Sequence, residues 1–272
     1  MLKKFLTRLY RVCNKILYRI KYIAINLIAW NKLLTYIKTT QHKKGSPESH
    51  VKNESKQLAL NRLFGRCISI DLANGGAKFT TRDESGKPRF YQSYRAMDIA
   101  GARPTDFRIA EYGLEEFLSP DKDVLDVGCN CGFFSLTISS MVNSITGLEY
   151  DSYYLKYGRK VAEFMTITNV NFISGDFKEY HTDKKFDLIF SFAVHHWIGL
   201  PLREYLTRLH KLLKQNGVVL FESHTLNGYD KDIEDYFSDA IQGLFTPIKE
   251  GIIEDGFKNS YSPRKFWYLL KS

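Results

Sequence analysis

The stretch Val124-Leu-Asp-Val-Gly-Cys-Asn-Cys-Gly-Phe-Phe-Ser-Leu136 decides the fold. Its first half is a short apolar run ending in Asp126. Gly128 permits a tight turn, and Gly132 opens a second apolar segment with helical spacing. This is a strand, a turn and the start of a helix, and in an open α/β sheet ligands bind just beyond such a strand end. A dinucleotide fingerprint would place glycines at 128, 130 and 133, but Asn130 and Phe133 stand at the second and third of these positions. What remains is Asp-x-Gly-x-x-x-Gly. A carboxylate immediately before the turn suits a ligand bearing an ammonium group better than a pyrophosphate.

The pattern continues on both sides of this stretch. Thr105 followed by Phe107, Ile109, Ala110 and Leu114 predicts a helix over 105–118. After it the sequence predicts strand 123–128, helix 132–142, strand 145–150, helix 152–166 and strand 170–174. Strand 186–193, helix 201–213 and strand 217–223 follow. Several strands are unbroken apolar runs, as expected when helices cover both faces of a sheet. The alternation implies βαβ units and a doubly wound, mostly parallel α/β sheet of Rossmann-like type. Gly251 to Glu254 and Lys265 to Leu270 read as an antiparallel hairpin on the sheet edge. Upstream, 45–57 reads as a polar linker. Residues 58–104 read as a small β-rich lid, with strands at Cys67 to Asp71, Lys78 to Thr81 and Arg89 to Tyr94, and a turn at Asp83 to Lys87. The main domain is then 105–272.

Residues 105–223 resemble the class I S-adenosylmethionine-dependent methyltransferases. Leu125 to Gly132 is similar to their first motif, Ile145 to Glu149 to their second strand, and Ser174 to Phe177 to the loop after the third. Phe186 to Phe192 resembles their fourth strand, and Leu212 to Leu220 the turn into the fifth. The resemblance implies an S-adenosyl-L-methionine site formed by Asp126, Gly128, Cys129, Asn130, Gly132, Phe133, Phe134, Glu149, Tyr150, Asp176, Phe177 and Ser191. In it Asp126 and the glycine turn hold the methionyl part, Glu149 takes the ribose hydroxyls, Asp176 takes the adenine amino group, and Phe177 covers the ring. An acid about 20 residues past a glycine turn is independently well placed for a ribose. One arginine of the segment Gly101 to Arg108 is expected near the cofactor. The spacing of Cys129 and Cys131 is not that of a two-cysteine metal site, so both are read as small buried residues.

Methyl transfer from a sulfonium needs positioning, and a base only when the acceptor must lose a proton. Past the fourth strand the chain reads Ser191-Phe-Ala-Val-His-His-Trp197. The Asn/Asp-Pro-Pro-aromatic motif of enzymes that methylate base amines is absent from that position. His196, His195, Glu222 and His224 are the candidate catalytic residues on this rim. The Gly-Phe-Phe-Ser-Leu helix start with a strand-four His-His resembles methyltransferases of bacterial cell-surface glycans. The Gly-Cys-Asn-x-Gly core resembles RNA cap-type enzymes of the same fold. A fold member that merely binds would be marked by loss of the acids or the glycine turn, and Asp126, Gly128, Glu149 and Asp176 are all present.

The 272-residue chain is 44% hydrophobic and carries a net charge of +9, but that charge is unevenly placed. Residues 1–47 hold eleven cations and no acid, leaving 28 cations against 30 anions in the remainder. Within 1–44, Leu2, Phe5, Leu6, Leu9, Cys13, Ile16, Leu17 and Ile20 recur at helical spacing, with Lys4, Arg8, Arg11, Lys15 and Arg19 on another face. A basic amphipathic helix on an anionic membrane surface is the reading that fits best. Packing on the body or a second subunit, or an RNA-binding arm, are the alternatives. The uncharged run Tyr22 to Asn31 is about half of the roughly 20 residues a membrane span needs. The expected location is therefore cytoplasmic and peripheral on the inner face of the membrane. The acceptor expected there is a glycan or lipid-linked sugar, with RNA or a small soluble metabolite as the alternatives.

Overall fold

The computed structural model describes residues 47–74, 81–83, 85–86, 88–223, 233–254 and 263–272. The basic segment 1–44 lies outside them. The chain divides into two compact units, one reaching Phe90 and including 95–100, the other comprising 91–94 and 101–272.

In the first unit, α1 spans Pro47–Asn74. It replaces both the linker expected at 45–57 and the strand expected at Cys67 to Asp71. Pro47 is the first helical residue, where its missing N–H costs nothing. The polar stretch after it is rich in Glu, Lys and Gln, which favour helix as readily as linker. Cys67, Ile68 and Leu72 then bury one helical face. β1 (Thr81–Arg82) pairs antiparallel with the start of β2 (Pro88–Gln92). The turn expected between them is closed by the Gly86 N–H donating to the Asp83 carbonyl at 2.9 Å.

In the second unit, β3 (Gly101–Arg103) leads into α2 (Thr105–Tyr112). The helix expected to reach 118 ends at Gly113, whose φ of 60° breaks it, and a 3-10 turn, Leu114–Phe117, follows. The alternating elements are β4 (Asp123–Val127), α3 (Phe133–Ile138), β5 (Ser144–Glu149), α4 (Ser152–Met165), β6 (Val170–Ser174) and β7 (Phe186–Phe192). After them come α5 (His195–Ile198), α6 (Leu202–Leu212), β8 (Leu213–Glu222), α7 (Ile233–Ile241), β9 (Phe245–Ile253) and β10 (Arg264–Lys271). β8 begins four residues earlier than the sequence predicts. The register irregularity opposite Phe186 and Leu188 and the positive φ of Asn216 absorb the extra residues.

The seven strands run β6-β5-β4-β7-β8-β10-β9. β6 through β8 are parallel, and β10 inserts antiparallel between β8 and β9. This is the doubly wound, mostly parallel sheet of the Rossmann-like methyltransferase fold. The unbroken apolar strands now make physical sense. Leu125, Val127, Ile189, Val219 and Phe221 point to one core, with Leu206 and Leu209 of α6. Their strand neighbours Val124, Leu188, Phe190 and Leu220 point to the other, with Ile109 of α2 and Phe134 of α3. Successive side chains alternate between faces, and both faces are dry.

Gly158 ties α4 to the turn after β4. A Cβ there would lie 2.4 Å from the Cys131 carbonyl oxygen. Glycine in a helix interior ordinarily costs about 1 kcal/mol against alanine, so propensity alone predicts that Gly158→Ala stabilises. The close approach predicts the reverse, a loss of about 1–3 kcal/mol from overpacking. A thermal melt of the variant checks the sign.

Candidate active site

The turn after β4 is held from both sides. The Gly128 and Cys129 N–H groups both donate to the Leu148 carbonyl, at 2.8 and 3.1 Å, and the Gly132 N–H donates to Cys129 O at 2.8 Å. Gly128, Asn130 and Gly132 all have positive φ. A side chain at Gly132 would strike the Phe172 ring at 2.2 Å, so both the conformation and the space require glycine there. Cys129 and Cys131 are buried, and burial pushes both thiols well above their usual range, leaving them neutral.

Two acids flank this turn. Asp126, at the end of β4, is 1% exposed and accepts from the Ser135 hydroxyl at 2.6 Å. Burial lifts its carboxyl to about 6, against the pull of Ser135 and Arg108. Arg108 acts on this acid through its charge, while its guanidinium donates to Glu222 and Tyr112. Glu149, at the end of β5, accepts from the backbone N–H of Asn130 at 2.8 Å and of Asp151 at 3.1 Å. Burial raises its carboxyl, and those two bonds oppose the rise. The Asn130 Oδ1 atom is buried and has no hydrogen-bond partner among the described residues.

The remaining cofactor candidates divide by surroundings. Phe133 and Phe134 are buried at the start of α3, Phe133 stacking on Tyr94 with ring centroids 5.6 Å apart. Their N–H groups donate to Gln92 Oε1 at 3.1 and 3.4 Å. Gln92 therefore caps the helix, a role that nothing in the local sequence announces. Asp176 accepts from the Lys178 N–H at 2.9 Å and stays partly open. Phe177 is corrected: it is buried against Tyr205, centroids 5.1 Å apart, and has no face to offer an adenine ring. Ser191 is likewise buried, its hydroxyl 2.8 Å from that of Tyr205. Tyr150 is 76% exposed.

On the acceptor rim, Glu222 is also corrected. Its Oε1 accepts from Arg103 Nη1 at 2.7 Å and Arg264 Nη1 at 2.9 Å, and its Oε2 from Arg108 Nη2 at 2.8 Å and the Tyr112 hydroxyl. Burial opposes ionisation, but the three guanidiniums outweigh it and hold the carboxyl well below the usual range. A carboxylate so paired is no general base. His195 is half-buried, its Nε2 2.8 Å from the Leu200 carbonyl oxygen and its ring against Tyr205 and Phe221. That nitrogen donates to a carbonyl, which fixes the ring tautomer and leaves any base chemistry of His195 to Nδ1. His196 is exposed beside Trp197, which is 72% exposed. His224 lies outside the described residues.

Residues 118–251 match the methyltransferase domain family. The chain is 24% identical over 220 residues to the U6 snRNA methylphosphate capping enzyme Amus of Drosophila melanogaster, spanning 73% of this chain and 72% of that protein. It is 27% identical to malonyl-[acyl-carrier protein] O-methyltransferase of Priestia megaterium, over 50% of this chain and 49% of that one. The N-methyltransferase NodS of Bradyrhizobium japonicum, solved with S-adenosyl-L-homocysteine, shares the fold with a TM-score of 0.50 at 13% identity, over 61% of this chain and 84% of that one. The chain is an S-adenosylmethionine-dependent methyltransferase.

The site fits that cofactor. A buried carboxylate, a second carboxylate oriented by two N–H groups, and the unpartnered Asn130 oxygen are acceptors for a ligand rich in ammonium, hydroxyl and amino donors. The methyltransferase pays in stability for one of them. A carboxyl raised from 3.8 to about 6 on folding contributes stability that is complete below 3.8 and lost as pH rises through 6. Asp126→Asn removes that loss, so the variant should be more stable than wild type above pH 7, by up to about 3 kcal/mol and with a higher melting temperature, and should converge with it near pH 4. Melts at the two pH values check this.

Proposed function

We propose that this methyltransferase acts on an oxygen of a glycan or lipid-linked sugar at an anionic membrane surface. Its cofactor supplies an activated methyl group on a sulfonium, and the chain's residues bind and orient it. In this reading Asp126 pairs with the methionyl ammonium, Glu149 receives the ribose hydroxyls, and Asp176 the adenine amino group. Asn130 Oδ1 takes one further donor. The observation that carries the acceptor reading is the rim beyond β7, where an exposed Trp197 lies beside His196. A broad aromatic face suits the apolar side of a sugar ring. The acid-free N-terminal segment, with its eleven cations, supports a lipid-borne acceptor by attraction to anionic headgroups. No helix among the described residues is long and apolar enough to cross a membrane, so a surface position is the one proposed.

RNA is the second reading, favoured by the relationship to a methylphosphate capping enzyme. Both relatives named above carry oxygen acceptors in their names, which supports oxygen over nitrogen as the atom methylated. Incubating the full chain with methyl-labelled S-adenosylmethionine and fractionated bacterial extract tests the proposal. Label should enter lipid-linked glycan. Label confined to RNase-sensitive material would establish the RNA reading instead.

A further inference from the structure

Glu222, saturated by three arginines, cannot take the proton that a hydroxyl acceptor loses. The arginines around Glu222 also converge on a second oxygen. The Tyr91 hydroxyl, half-buried near the end of β2, accepts from Arg103 Nη1 at 3.3 Å and Arg264 Nη1 at 3.1 Å. The Arg103 guanidinium also lies 6.0 Å from the Tyr91 ring centroid. The next residue, Gln92, binds the first N–H groups of α3. Adjacent residues of one strand therefore reach the cofactor helix and the end of β8, next to β7 and its acceptor rim.

We propose that Tyr91 is the general base of the methyl transfer, its phenol oxygen taking the proton an acceptor hydroxyl loses. The inference rests on the reading of the acceptor as a hydroxyl. In the step, the acceptor oxygen bonds to the methyl carbon and the methyl–sulfur bond breaks with its electron pair left on sulfur. The acceptor proton passes to the Tyr91 oxygen and afterwards to water. Two cationic donors on a phenol oxygen stabilise its ionised form more than its neutral one. The charged groups facing it are Arg103 of β3, Arg264 of β10, Arg108 of α2 and Glu222 of β8. Burial and Glu222 oppose ionisation, but the three arginines prevail and lower the phenol from its ordinary value.

The test compares the full chain with Tyr91→Phe. An ultraviolet difference titration should show one tyrosine, absent from the variant, ionising below the ordinary value of about 10. Arg264→Gln should move it back up. A Tyr91 signal at or above the ordinary value overturns the proposal. In the labelled-transfer assay, the variant should be at least about 100-fold slower and lose the rise of rate with pH, while its melting shift with S-adenosylmethionine is unchanged. A variant rate and pH profile equal to wild type also overturns it. If wild type labels no fraction, the acceptor reading fails, and the titration still decides whether Tyr91 ionises as required.

Discussion

The acceptor end of this enzyme depends on the carboxylate of Glu222. Arg103, Arg108 and Arg264 all close on it, and the side chains involved are almost fully buried. They come from β3, α2 and β10, so a single carboxylate at the tip of β8 ties β3 and α2 to the sheet and adds a side-chain bond to its neighbour β10. Removing it would leave several buried cations uncompensated, a change that typically costs about 3–5 kcal/mol. The backbone is drawn into the same node, since the Glu222 carbonyl accepts from the Ala193 N–H where the chain leaves β7 toward the histidines. A residue whose position on the rim suggests chemistry is instead what makes the rim rigid.

The cofactor end is built on the opposite logic. There Asp126 and Glu149 have no cation in direct contact among the described residues. Asp126 has a hydroxyl, Glu149 has two backbone N–H groups, and burial raises both carboxyls. Such groups are destabilising until a ligand with donors and positive charge arrives, which is how a binding site holds interaction energy in reserve. The two ends thus divide the labour, with a saturated ion cluster for structure and under-satisfied acceptors for binding.

The sheet was legible in the sequence because apolar strands and a glycine turn leave local signals, and the order of elements from 105 to 223 follows them closely. The helix Pro47–Asn74 was not, because a polar run with Pro and Ser reads as a linker until the buried face at Cys67, Ile68 and Leu72 is recognised as its continuation. The motif singled out Asp126 and Glu149, but no motif reports burial or distant pairing: burial encloses Phe177, and three arginines from other elements disqualify Glu222 as a base. Gln92, Tyr91 and Arg264 escaped notice for a related reason. Their partners lie 41, 12 and 42 positions away for Phe133, Arg103 and Glu222 respectively, and no local pattern announces such pairings.

The net charge, which over the whole chain resembles that of a nucleic-acid binder, belongs to the first 47 residues. The body must recognise its ligands through individually placed groups, and Glu149 is the one whose geometry is most completely fixed. Calorimetric titration of S-adenosyl-L-homocysteine into the full chain and into Glu149→Gln is therefore the most direct test. The account predicts one site per chain, weakened about tenfold or more by the substitution, as expected for hydrogen bonds to a charged acceptor. Absence of binding to the wild-type chain, or equal affinity in the variant, would contradict it.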